Sequence, residues 1–205
     1  MDKVVITIAR SYGSGGRTLG KMLSHKLGIP CYDREILRLA SDESGIAEEL
    51  FAKADEKVRR VIRSSKGHYT GKPLPPENAD FVSDDNLFEI QAQVIRDLAS
   101  QESCIIVGRC ADYILKDMDH VISLYLYASE EDCLARLKNQ ISGTESDLRK
   151  RMASIDKYRA DYYKYYAGHA WNDACNYDLC INTGSMSYEK LIEVVEDYIR
   201  ISDGE

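Results

Sequence analysis

The 205 residues hold no recognisable metal-ligand spacing: the six cysteines, at 31, 104, 110, 133, 175 and 180, form no C-x-x-C pair, and no histidine stands at ligand distance from one. They read as free thiols. The chain also lacks any apolar run approaching eighteen residues, and it lacks a positively charged leader followed by an apolar segment. The expectation is a protein neither exported nor membrane-spanning, with a cytoplasmic address that suits reduced cysteines. Positive charge is not in excess either, since 27 Lys and Arg face 34 Asp and Glu for a net charge of −7. A nucleic acid polymer or an anionic membrane is therefore not an expected partner, and any phosphate site must be a local gathering of Arg and Lys. Proline is scarce, and three of its four copies fall at 73, 75 and 76. What is there, 44% hydrophobic and 30% charged residues, is the composition of one ordinary globular domain with a real core.

The most informative stretch is residues 4–18. Val4, Val5, Ile6, Thr7 and Ile8 make a β-branched run of the kind that forms a buried parallel strand. It passes directly into Arg10-Ser11-Tyr12-Gly13-Ser14-Gly15-Gly16-Arg17-Thr18, after which Leu19, Met22, Leu23 and Leu27 recur at helical spacing. Strand, glycine loop and helix in that order arrange backbone N–H groups around the positive end of a helix dipole, a cradle suited to phosphate. The P-loop pattern G-x-x-x-x-G-K-[ST] sets a lysine on the β and γ phosphates and a hydroxyl on magnesium. Aligned on Gly15, this chain has Arg10 for the first glycine and Gly16 for the lysine, with Arg17 the nearest cation, one place late, and Thr18 the nearest hydroxyl after it. Gly13, Ser14, Gly15, Gly16, Arg17 and Thr18 are thus the candidate ATP-phosphate residues, and Thr18 or Ser14 the candidate magnesium ligand. The alternative is a flexible turn followed by a solvated Arg17, and an arginine fork is not interchangeable with an ammonium.

Further along, a helix over about 18–26 ends at Gly28, and 29–33 forms a short strand closing on Asp33. That carboxylate lies at the carboxyl rim of the sheet, where α/β folds hold ligands, although it would serve equally as a helix N-cap. Residues 34–63 read as helix throughout, with Arg34 and Arg38 one turn apart near the rim, either on a substrate phosphate or on a solvated face. From 64 to 85 all periodicity fails, which makes a loop. A helix at about 85–100 leads into a second buried strand, 103–107, which delivers Gly108-Arg109 to the same rim; an internal ion pair is the alternative for Arg109. Residues 119–128 read as a third central strand, and Ser129 with Glu130, Glu131 and Asp132 opens the next helix with a hydroxyl cap and early acids. Over 146–167 a basic helix carries Leu148, Met152, Ile155, Tyr158 and Tyr162 on one face. Its tyrosines, with Trp171, suit core, an oligomer surface or a nucleobase platform. A last strand and turn at 178–184 and a helix at 188–199 complete a three-layer αβα fold around a mostly parallel sheet.

Four segments in order carry a resemblance: Arg10 to Arg17 as quoted above, Gly28-Ile29-Pro30-Cys31-Tyr32-Asp33-Arg34-Glu35, Val107-Gly108-Arg109-Cys110-Ala111-Asp112-Tyr113, and Asp156-Lys157-Tyr158-Arg159-Ala160-Asp161-Tyr162-Tyr163. Together they resemble the cytidylate-kinase-like family of P-loop proteins, nearly end to end. The resemblance implies a P-loop NTPase fold of the nucleoside monophosphate kinase type: a single domain over 1–205, with a mobile acceptor-binding segment at about 34–85 and a lid at about 136–170. It implies ATP and Mg2+ as cofactors, small-molecule nucleotide substrates, and phosphoryl transfer to a nucleoside monophosphate, CMP or dCMP foremost. By the same resemblance Arg109, joined by Arg38, grips the acceptor phosphate, and Asp33 opens the monophosphate-binding region. Arg159 is the lid arginine, with Arg151 second. Arg17, Asp33 and Arg159 are the candidate catalytic residues. Cytidylate kinases usually follow Gly-Arg with aspartate, where this chain has Cys110 and reaches Asp112 two places later. With Gly16 at the lysine position, that substitution favours one alternative, a nucleotide- or phosphometabolite-binding regulatory protein on the same fold; a kinase of another small metabolite is a third reading that fold alone does not separate.

Overall fold

The computed structural model describes residues 3–57 and 71–202. The strands are β1 (Val5–Arg10), β2 (Cys31–Tyr32), β3 (Cys104–Val107), β4 (Val121–Tyr127) and β5 (Leu179–Asn182). The helices are α1 (Gly16–Leu27), α2 (Glu35–Ser44), α3 (Glu48–Lys57), α4 (Asp84–Gln101), the single turn α5 (Ala111–Ile114), α6 (Glu130–Lys138), α7 (Glu145–Ala167) and α8 (Tyr188–Ser202). Among the described residues every strand pairing is parallel, and the sheet order is β2-β3-β1-β4-β5. The chain leaves β1 toward one edge and later crosses back over it to β4. The carboxyl ends of β1 and β3 therefore flank the crevice where such sheets bind ligands.

Alternation along the strands splits the core between the two faces of the sheet. Ile6, Ile8, Ile105 and Val107 pack with Leu19 and Leu23 of α1 and with Leu191, Ile192 and Val195 of α8. Val5, Cys104 and Ile106 face the other way, toward Ile36, Phe51, Phe88, Ile95, Tyr163 and Tyr166. The tyrosine cluster is core there: Phe88 and Tyr166 stack with ring centroids 3.7 Å apart, and Trp171 is edge-on to Tyr125.

Caps set the helix boundaries. Ser129 accepts from the Asp132 N–H at the start of α6, and Thr144 does the same from Asp147 at the start of α7. The expected single helix over 34–63 is corrected. Gly45, at φ 71°, ends α2 with its N–H on the Ser41 carbonyl, and the chain re-enters helix only at Glu48. Residues 58–70, including Arg59, Arg60, Arg63 and the first part of the expected loop, lie outside the described residues. Residues 71–83 are held in place. Asn86 accepts from the Leu74 N–H and donates to the Phe81 carbonyl, while Gly71 bonds Glu89 and Arg96. The C-terminal half of α7 is anchored in the core through Tyr163 and Tyr166. Its first half packs only a small separate cluster of Cys133, Leu134, Leu137, Leu148 and Met152 with α6.

Candidate functional site

At the end of β1 the Ser11 N–H keeps the β4 register by bonding Leu126, and the chain then turns through two left-handed glycines, Gly13 at φ 88° and Gly15 at φ 87°. A Cβ on Gly15 would fall 2.0 Å from the Tyr188 hydroxyl, so this position needs glycine for room as well as for conformation. Gly15 caps α1 without any side-chain acceptor, which leaves the first-turn N–H groups of the helix available to an anion. Thr18 is exposed on that first turn, as a metal-directed hydroxyl must be. Ser14 is not: it is fully buried, and its hydroxyl donates to the Ser11 carbonyl.

The loop is fastened from behind. Arg136 donates to the carbonyls of Ser14 and Thr183, and the fully buried Thr183 hydroxyl donates to the Ser14 carbonyl at 2.7 Å. Thr183 thus ties the turn after β5 to the glycine loop.

Four arginines meet at the mouth of the cradle. Arg17 is in close contact with the Asp33 carboxylate, and Arg10 reaches the same carboxylate at 3.8 Å. Arg159 donates to the backbone carbonyl of Arg10 at 3.0 Å and pairs with Asp156 at 3.4 Å. Arg109 is close enough to feel both Asp33 and Arg17. Burial, then Arg159, then Arg109 and Arg17, push the Arg10 pKa down to about 9 against the pull of Asp33; the group stays charged at neutral pH. Burial likewise lowers Arg109 and Arg159. Four guanidinium groups gathered around the two acids Asp33 and Asp156 make a locally cationic region suited to an anionic ligand. A crevice of about 230 Å³ opens beside Arg17 and Asp33, its lining completed by Lys21, Arg34, Glu35, Cys31 and Val107. Asp156 accepts from the Tyr12 N–H at 2.7 Å, so one acid already stands against a loop amide.

Arg109 is aimed by strain. Gly108, Arg109 and Cys110 are consecutive left-handed residues at φ 80°, 63° and 54°, and the Ala111 N–H closes the turn on the Gly108 carbonyl. Two non-glycine residues in this region cost about 1–3 kcal/mol each, a cost that persists only where surrounding structure imposes it. Cys110 is buried behind the turn, and Asp112, also buried, accepts from the Tyr163 hydroxyl at 2.6 Å. Neither faces the crevice as an acceptor-binding acid.

The structure brings together Arg17, Asp33, Arg109 and Arg159 as read from the sequence, and leaves out two. Arg38 pairs with Asp42 one turn on, both side chains 61% exposed, and Arg151 lies on the exposed face of α7. Asp33 is no helix cap: Arg34 occupies that position with no side-chain bond, and the Asp33 carboxylate is spent on arginines. Arg10, Asp156, Arg136 and Thr183 were given no side-chain role from the sequence, although Arg10 and Asp156 stand in the quoted segments and Arg10 occupies the first-glycine position while Gly16 replaces the lysine.

A family profile described as cytidylate kinase-like matches residues 5–185, most of the chain. The chain belongs to the cytidylate kinase-like family. The cytidylate kinase of Archaeoglobus fulgidus is 23% identical over 93% of this chain and 91% of its own length, and that of Pyrococcus horikoshii is 24% identical over 95% and 88%. An uncharacterised protein from Eubacterium ventriosum shares the fold with a TM-score of 0.71, 25% identity and nearly complete coverage of both chains. The shikimate kinase of Bacteroides thetaiotaomicron, at 14% identity, a TM-score of 0.57 and coverage of 96% and 98%, shares the fold alone. Family and fold support a P-loop kinase acting on a nucleotide or small metabolite. Among the described residues no helix is long and apolar enough to cross a membrane, and no group of three or more His, Cys, Asp or Glu is arranged to hold a metal ion.

Proposed function

We propose that this protein catalyses ATP- and Mg2+-dependent phosphoryl transfer to a nucleoside monophosphate, with CMP or dCMP as the acceptor. The observation that carries the reading is the convergence of Arg10, Arg17, Arg109 and Arg159 on the mouth of a glycine cradle, with Asp33 between them. Phosphoryl transfer asks a protein chiefly to position two anions in line and to offset the charge that spreads over the transferring group. The N–H groups at the start of α1 hold the donor phosphates, and the exposed Thr18 hydroxyl would hold Mg2+, which would supply positive charge against that of the phosphates. Arg109, fixed by its strained turn, takes the acceptor phosphate in a bidentate grip. Arg159 reaches the same point from α7, where a guanidinium stabilises the transition state more than the ground state. Asp33 holds Arg17 and Arg10 apart and in orientation. No side-chain nucleophile is needed.

One observation favours a second reading, a regulatory protein that binds nucleotide without turnover: Gly16 stands where the loop lysine belongs. A third, a different small acceptor, is compatible with the shared fold of shikimate kinases. The test is ADP release by the pure protein with ATP and Mg2+ against CMP, dCMP, UMP, AMP and shikimate. Release that depends on CMP or dCMP is the expected result. Dependence on another compound of the panel would move the acceptor, and no release from a protein that binds ATP would favour the regulatory reading.

A further inference from the structure

Gly16 is buried at the first position of α1 and has an ordinary helical φ, so its backbone does not require glycine. Its surroundings do. A Cβ there would lie 2.8 Å from Cγ and 3.0 Å from Cβ of Arg10, the inner and least movable part of that side chain. A Cβ on Gly108, itself left-handed at φ 80°, would fall 2.0 Å from an Arg10 guanidinium nitrogen, which locates that head group. The Arg10 stem therefore runs over Gly16, and its head group ends between Gly108 and Asp33, with the side chain 14% exposed.

We propose that Arg10 performs the phosphate-neutralising work of the P-loop lysine, the cation having moved from the seventh position of the motif to the first, with Gly16 left small to let it pass. Two departures from the motif, an arginine for the first glycine and a glycine for the lysine, then become a single reciprocal exchange within one volume. Arg17, at 54% exposure and turned onto Asp33, is left to the rim. The chemistry recognised is a polyphosphate, and an arginine beside the glycine loop contributes a fixed charge and a planar fork where a lysine contributes a point charge. Asp33, already beside Arg10, is the counter-ion that incoming phosphate displaces.

The inference deepens the kinase reading but is tested without turnover. Binding of inorganic pyrophosphate and of ATP, by calorimetry and by thermal shift, is compared for the wild-type protein, Arg10→Met, Gly16→Lys and the double variant Arg10→Gly with Gly16→Lys. Arg10→Met is expected to lose at least tenfold in affinity for both ligands while the ligand-free protein melts no lower than wild type, because a buried, crowded charge has gone. Gly16→Lys alone is expected to lower the melting temperature by collision with the Arg10 stem. The double variant should recover both the melting temperature and an affinity within about tenfold of wild type. Unchanged affinity in Arg10→Met overturns the inference and leaves the kinase reading standing. A double variant that folds and binds no better than Arg10→Met overturns it as well. Loss of pyrophosphate binding in Arg10→Met supports the inference even if no acceptor is ever phosphorylated, whereas a wild-type protein that binds neither ligand removes inference and kinase reading together.

Discussion

Replacing Asp33 with asparagine isolates the charge balance on which the crevice depends. Asp33 is the carboxylate in contact with Arg17 and 3.8 Å from Arg10, and its own side chain is 21% exposed. At that distance and an effective dielectric constant near 20, the Arg10 pair alone has a Coulomb term of about 4 kcal/mol. The Arg17 partner, 54% exposed, adds roughly 0–1 kcal/mol after solvent screening. Asparagine keeps a hydrogen-bond acceptor and sheds the desolvation cost of the carboxylate, so the net loss expected in the ligand-free protein is about 2–3 kcal/mol. For a chain of this length that is a fall of roughly 4–12 °C in melting temperature. Anion binding should respond with the opposite sign. With its competitor gone, the arginine cluster should hold pyrophosphate at least as tightly in Asp33→Asn as in wild type, and saturating pyrophosphate should close most of the gap in melting temperature. Thermal melts with and without pyrophosphate, in the absence of Mg2+, read both effects. A variant as stable as wild type, or one that binds pyrophosphate much more weakly, would refute the reasoning.

Other consequences follow from single residues. Thr183→Val keeps the buried shape but removes the bonds to Ser14 and from Arg136, and it should cost about 1–3 kcal/mol in chemical denaturation, with Thr183→Ser recovering most of it. Burial raises the Asp112 carboxyl, and the Tyr163 hydroxyl only partly offsets this. A carboxyl whose folded pKa lies above its unfolded one burdens the folded state at higher pH and is relieved as pH falls below the ordinary carboxylate range. Asp112→Asn should therefore be at least as stable as wild type at pH 7, with the difference vanishing toward pH 4 and below in a denaturation series; a deficit at pH 7 would contradict this. Burial, Asp33 and Glu35 raise the Cys31 thiol to about 11, so although it lines the crevice it should alkylate with iodoacetamide at pH 8 about 100-fold more slowly than free cysteine, as peptide mass spectrometry would show.

Much of this architecture is written in local pattern. The β-branched run before the glycines, the hydroxyl caps at Ser129 and Thr144 and the left-handed Gly28 all act within a few residues, and the elements stand within a residue or two of where those signals put them. Arg109 and Asp33 were legible because strand ends in a parallel sheet share one rim, so position along the chain translates into position in space. What was not legible depends on contacts that no periodicity encodes. Thr183 meets Ser14 across 169 positions, Arg159 meets the Arg10 carbonyl across 149 and Asp156 meets Tyr12 across 144. Arg38 was misplaced for the opposite reason: its nearest acid, Asp42, is a local partner at i,i+4, and that pair takes precedence over any pull from the rim. Arg10 was read only as the residue replacing the first motif glycine, whereas its side chain fills the volume that Gly16 leaves vacant.

The most direct test of phosphoryl transfer at this crevice is to follow the phosphorus itself. A 31P spectrum of the protein with ATP, Mg2+ and CMP should show CDP resonances growing in step with those of ADP, and the growth should be abolished in Arg109→Met while that variant keeps its melting temperature within a few degrees of wild type. ATP consumed without a new diphosphate, or CDP formed equally well by Arg109→Met, would contradict the account.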